Sequence, residues 1–161
     1  MYDELIYQND PKLPRSVRLW GCRFRCLSAM AEFFTQKNLS HEQITQIYDL
    51  ARQHPSGKVM DDNCLCKVDE HHICKLSFLA LKDNTRIARQ VGVMNGNVPT
   101  GWDGKEIAFD YQIFEYHTKV GKHFVLANKA NQVIFDPWSI NYDQPLDIIG
   151  GIQKQLLYKV F

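Results

Sequence analysis

The stretch GKHFVLANKANQVIFDPW, Gly121 to Trp138, is the one on which the fold turns. Residues 122–128 and 132–136 are β-rich runs joined by a short polar turn around Asn128 to Asn131, the pattern of a β-hairpin. The simplest register pairs Ala127 with Gln132, which brings Val125 opposite Ile134 and His123 opposite Asp136. An imidazole and a carboxylate would then be cross-strand neighbours with Cβ atoms ~5 Å apart, close enough to hydrogen-bond. A one-residue slip would change the faces, so the pairing is conditional on register. If Val120-Gly121 turns the preceding hairpin, His117 pairs with Phe124 and points to the face opposite His123.

Working outward, further β-rich segments are expected at 86–93, 107–117 and 156–161, all in the second half of the chain. The glycine-rich segment MNGNVPTGWDGK, 94–105, reads as a mobile surface loop. The first half has helical periodicity instead. From Cys22 one apolar row holds Phe24, Leu27, Ala31 and Phe34, and a second holds Cys26, Met30 and Phe33, which makes this helix largely buried. Ser40 with Gln43 forms a capping box, flanked by Leu39 and Ile44 as a hydrophobic staple, for a helix running to about Gln53. A third helix is expected from near Asp69 to about Lys82–Asn84, burying Ile73, Leu76, Leu79 and Ala80. Helices first and strands afterwards predict an α+β fold, N-terminal helices packed on a C-terminal antiparallel β-sheet, and not an alternating parallel sheet.

Composition narrows the function classes. With 161 residues, 45% of them hydrophobic, and no repeat or linker-like tract, a single domain spanning 1–161 is expected. Nineteen Lys plus Arg against eighteen Asp plus Glu leave no basic excess of the kind that binds nucleic acid or an anionic membrane, so neither partner is expected. No signal-peptide run or spanning segment is legible, and five cysteines at 22, 26, 64, 66 and 74 suit reduced thiols better than a disulfide framework. The expectation is a cytoplasmic protein.

The segment DNCLCKVDEHHIC gathers Cys64, Cys66, His71, His72 and Cys74, a sulfur and imidazole set of the type zinc prefers. One residue between the first two cysteines is not the usual knuckle spacing, and Cys74 falls on the buried side of the third helix, so no metal and no cofactor is assigned. Arg15, Arg18, Arg23 and Arg25 form the one basic cluster, expected as a solvated rim or as a receiver for a substrate carboxylate.

Cys22 follows Gly21, a permissive N-cap, at the head of the buried helix, where the helix dipole and free amides favour an anion. Cysteines in such positions act as nucleophiles when an imidazole can pair with them. Cys26, one turn deeper, reads as a core residue. A cysteine heading a helix, then a His on a strand, then an Asp on the next strand is the order of the papain-like cysteine peptidases. Within that clan the helix resembles the bacteriocin-processing peptidase domains that remove double-glycine leaders: Cys22, Cys26, Leu27 and Met30 stand in places comparable to a Cys-Gly-x-Ala-Cys-Leu-Ala-Met motif. The family's His-hydrophobic-Val and Asp-Pro segments are similar to His123-Phe124-Val125 and Asp136-Pro137, and Trp138 is similar in place to the tryptophan that shields the orienting residue in papain-type enzymes. The chain also looks like uncharacterised papain-like proteins of spirochaete plasmids and phages.

This resemblance implies a papain-like fold and a catalytic Cys22, His123 and Asp136 acting on a peptide or protein substrate through an amide or thioester. The glutamine that such peptidases carry about six residues before the nucleophile is replaced by Ser16, so Ser16 or Arg18 would assist the oxyanion, with Trp138 beside the site. Peptidase, amidase, deamidase and transferase remain open. The alternative is a papain-like binding protein of weak or no activity, a phage or plasmid accessory protein.

Overall fold

The computed structural model describes residues 5–53 and 70–161. Four helices precede six strands: α1 (Arg15–Trp20), α2 (Cys22–Thr35), α3 (His41–Gln53), α4 (Glu70–Ala80), β1 (Ala88–Asn95), β2 (Val98–Gly101), β3 (Tyr111–Thr118), β4 (Gly121–Asn128), β5 (Val133–Phe135) and β6 (Ile148–Val160). No described helix is long and apolar enough to cross a membrane.

The two apolar rows of α2 have their consequence: every residue from Cys22 to Glu32 is buried. The helix ends where Gln36 adopts a left-handed conformation, φ 61°, with its amide donating to Glu32 O. The helix that runs into it, α1, has no strong sequence signature, because only Val17 of its six residues is buried. Gly21 joins the two. Its amide donates to Val17 O at 2.8 Å, and a Cβ at this position would lie 2.3 Å from that oxygen, so the joint closes only with glycine. The capping box of α3 forms as expected, Gln43 N donating to Ser40 Oγ at 3.1 Å and Ser40 N to Gln43 Oε1 at 2.9 Å.

All adjacent strands are antiparallel, in the order β2-β1-β6-β3-β4-β5. The fold is therefore α+β, with the helices before the sheet in sequence. The main core joins Phe24, Leu27 and Met30 of α2, Ile73 and Phe78 of α4, and Ile113, Phe124, Leu126, Leu156 and Tyr158 of the sheet. Phe114, Val125 and Ala127 form a smaller cluster with Tyr116. They alternate along β3 and β4 with the core residues and so lie on the other face.

Three expectations about the strands are corrected. Residues 94–105 are not simply a surface loop. Asn95 pairs with Val98 across a two-residue turn in which Gly96, φ 60°, takes the position such turns reserve for glycine. The turn between β3 and β4 is centred one residue earlier than expected, so His117 pairs with Lys122, not Phe124, and His123 pairs with Tyr116. Thr118 fixes it, its hydroxyl donating to Gly121 O at 2.8 Å and accepting from Val120 N at 3.2 Å. His117 and His123 still occupy opposite faces.

In the β4–β5 hairpin, Asn128 closes the loop by donating its amide to Gln132 O at 2.9 Å and accepting from Ala130 N and Gln132 N at its side-chain oxygen. With Asn131 at φ 62°, the loop has three residues, and Ala127 pairs with Val133 rather than Gln132. A bulge follows, and Leu126 pairs with Phe135. Two one-residue shifts add to two, which restores the face. Continued by one residue, the register sets Asp136 opposite Val125, diagonal to His123 and on the same side of the sheet.

Candidate active site

Cys22 is buried at the first position of α2, with Gly21 as N-cap. Its Sγ lies 4.0 Å from Lys122 O, and Cys26 Sγ lies 3.5 Å from Phe124 O. Even-numbered residues of β4 turn their backbone groups toward β5, as the Asn128 bond to Gln132 fixes, yet β5 pairs only with Leu126 and Ala127. The start of α2 therefore sits against the stretch of β4 edge that β5 leaves uncovered, and the two sulfurs, one helical turn apart, face two successive outward carbonyls. Cys26 is fully buried and its thiol is pushed well above the ordinary range, first by burial and then by the neighbouring Cys22 and Asp136 charges. It packs as the apolar row requires.

His123 Nε2 is 2.9 Å from Asp136 Oδ1. The histidine is 2% exposed, whereas the side chain of Asp136 is 51% exposed. The same carboxylate oxygen accepts the Trp138 amide at 3.0 Å, so the Asp-Pro-Trp turn aims it. Burial alone would drive the imidazole toward neutrality. Hydrogen bonds to Asp136 and to the Cys22 side chain, with the charges of both, outweigh it and raise the pKa from 6.5 to about 9. With Nε2 committed to Asp136, Nδ1 is the nitrogen left for Cys22. His123 thus has the Asp136 carboxylate and the Cys22 side chain as its polar neighbours. Tyr116, the cross-strand partner of His123, is also displaced upward, by burial and then by the Asp136 charge.

The other anticipated residues are placed differently. Arg18 donates Nε to Leu13 O at 3.0 Å, tying α1 to the segment before it. Ser16 lies half-buried on α1. Trp138 contributes its backbone amide to Asp136, and its indole donates to Gln144 O at 2.8 Å. Of the arginine cluster, Arg15 is exposed and Arg18 half-buried, but Arg23 and Arg25 do not belong to a solvated rim. Arg25 is fully buried, paired with Glu32 at 3.1 Å, donating to Ile6 O at 2.8 Å and stacked over Phe135. Arg23 is buried too, over the Phe124 ring and paired with Glu70, which also receives the Tyr158 hydroxyl. Two residues apart, the arginines leave different sides of a helix that is buried all round, where pairing is the condition for burying charge.

Of the cysteines weighed and not assigned as zinc ligands, Cys64 and Cys66 lie outside the described residues. Cys74 is buried on α4. Among the described residues no group of three or more His, Cys, Asp and Glu could hold a metal ion.

Sequence reading missed the strap formed by residues 6–10. Gln8 N donates to Pro137 O at 2.8 Å, and the Asn9 amide makes two bonds to the Ser139 backbone, Nδ2 to O at 2.8 Å and Oδ1 from N at 2.9 Å. Gln8 Nε2 reaches Arg18 O at 3.3 Å, one turn before Cys22. Asp10 accepts from His41 Nε2 at 2.9 Å. The strap thus clamps the segment after Asp136 and touches the helix that leads to Cys22. No family model, curated protein or solved structure matches this chain.

Proposed function

We propose that the protein is a papain-like cysteine hydrolase or acyl transferase with Cys22 as nucleophile. The observation that carries this reading is the buried His123 ring, held between the Asp136 carboxylate and the Cys22 sulfur at the head of a buried helix. With a pKa of about 9, His123 is an imidazolium at neutral pH, the partner a thiolate requires. The Cys22 sulfur adds to the carbonyl carbon of an amide or thioester, forming a C–S bond and a tetrahedral oxyanion. At the first helical position the Cys22 amide lacks an intrahelical acceptor and is free to donate to that oxyanion. Collapse breaks the bond to the leaving group, which takes the imidazolium proton. Water or an amine then attacks the thioester, giving its proton to the neutral imidazole and returning the sulfur to its starting state.

The test is acyl-enzyme capture. Incubation with a thioester or activated ester should add one acyl group, mapped to Cys22, which then hydrolyses. His123→Ala should slow acylation by about 10²- to 10⁴-fold. Acylation spread over several residues, or unaffected by the His123 change, would reject the reading. A second reading, a binding protein with the same fold and no turnover, draws on one observation: Arg18, one of the two side chains expected to assist the oxyanion, already donates to Leu13 O, and the upstream glutamine Gln8 donates to Arg18 O. It predicts that no acyl group accumulates.

A further inference from the structure

On the helix-bearing face of the sheet, a cleft of about 580 Å³ lies beside the start of α2, with Arg23, Lys122, Glu115, Lys154, Asn95 and Trp102 in its walls. The strand pattern explains it. Pairing between β1 and β6 stops at Val93 and Leu156. Beyond that point β1 turns away into its hairpin with β2, while β6 continues along β3 through Gln155 and Lys154. The two strands splay and leave a polar wedge. Trp102 is pinned at its rim by an indole bond to Gln90 O at 3.2 Å.

Two cleft residues are chain neighbours of the proposed catalytic groups. Arg23 follows Cys22, and Lys122 precedes His123 and has its carbonyl 4.0 Å from the Cys22 sulfur. The cleft therefore lies beside residues that flank the thiol and the imidazole in the chain. Its charges do not cancel. Arg23 is neutralised by Glu70, and the buried Glu115 carboxylate has Lys122 Nζ at 3.6 Å. Lys154 stands directly opposite Glu115 in the β3–β6 register and has no carboxylate within 4.0 Å among the described residues. Three cations face two carboxylates, with amide side chains from Gln90 and Gln153 around them.

We propose that this cleft binds a carboxylate carried by the substrate close to the carbonyl attacked by Cys22, with Lys154 as the residue that selects it. The proposal rests on the cysteine acyl-transfer reading above. The carboxylate can belong to a Glu or Asp side chain or to a peptide C-terminus, and the probes separate these sources. N-acetylated tripeptide chloromethyl ketones carrying Glu or its isostere Gln beside the ketone report the first. Bromoacetyl dipeptides ending in a free acid or an amide report the second. Alkylation of Cys22 is followed by intact-protein mass, and each preference is read as a ratio of rates.

An acid-to-amide ratio of about ten is expected in at least one series, the worth of a charge-assisted hydrogen bond. Lys154→Glu should bring that ratio to one or below. Lys75→Glu, the same charge change at an exposed position of α4, should leave it intact. Ratios near one in both series, or equal loss in the two variants, would overturn the cleft assignment while leaving Cys22 and His123 in their roles. Alkylation by every probe that is indifferent to His123→Ala would overturn both.

Discussion

At the scale of the residue, His123 and Asp136 divide their environments unequally: the ring is enclosed and the carboxylate half in water. Asp136→Asn keeps the shape of the contact and removes the charge, leaving the Cys22 side chain alone to oppose burial. The His123 pKa should fall from about 9 back toward 6.5, read from the imidazole protons in an NMR titration. The linkage has a definite sign. A folded pKa above the unfolded one adds stability that is fully present below about 6.5 and is lost as pH rises through about 9. The denaturant midpoint of the wild type should therefore exceed that of Asp136→Asn most at the lower end of this window, by a margin that solvent screening at Asp136 keeps small. A constant difference across the window would contradict the assignment. The pair itself was legible from the hairpin because side-chain faces repeat every two residues. The three-residue loop and the bulge each moved the register by one, and their sum left the face unchanged. Gln8 and Asn9 were not legible, since their partners in the segment after β5 lie about 130 residues away and nothing in QNDPKLP announces them.

At the scale of the element, Cys22, the proposed nucleophile, is placed by a joint between two helices. Gly21→Ala would bring a methyl group against Val17 O, and relief requires α1 and α2 to move apart. The expected cost is about 1–3 kcal/mol in urea unfolding, as for other overpacked sites, with slower alkylation of Cys22 because its helix start shifts. Unchanged stability would mean that the joint is looser than its geometry. The longer elements, α2, α3 and the β3–β4 hairpin, could be read from periodicity and caps. The six-residue α1 and four-residue β2 could not, because each is too short to show a period and each is held by partners elsewhere: α1 by Gly21 and Leu13, β2 by its pairing with β1. The buried arginines failed for a related reason. Charge in a sequence signals solvent by default, and only the all-round burial of α2 explains why Arg25 must find Glu32.

At the scale of the whole molecule, the strap binds the first described residues to the segment after β5, to α2 and to α3. Asn9→Ala leaves the buried backbone N–H and C=O of Ser139 without their partner, an expected loss of about 1–3 kcal/mol. It should also slow the reaction of Cys22 at a pH and denaturant concentration where the protein stays folded, because the turn bearing Asp136 is released. Loss of stability with no change in reactivity would make the strap a clamp on the fold alone. The helix-first α+β order could be read from the alternation of periodicities along the chain, whereas the cleft where β1 and β6 splay depends on where pairing stops. The central claim is that His123 activates Cys22. The rate of iodoacetamide alkylation at Cys22, followed by mass, tests it most directly: the wild-type protein should react faster than a free thiol and His123→Ala no faster than one, whereas a wild-type rate equal to that of a free thiol and unchanged in His123→Ala would contradict it.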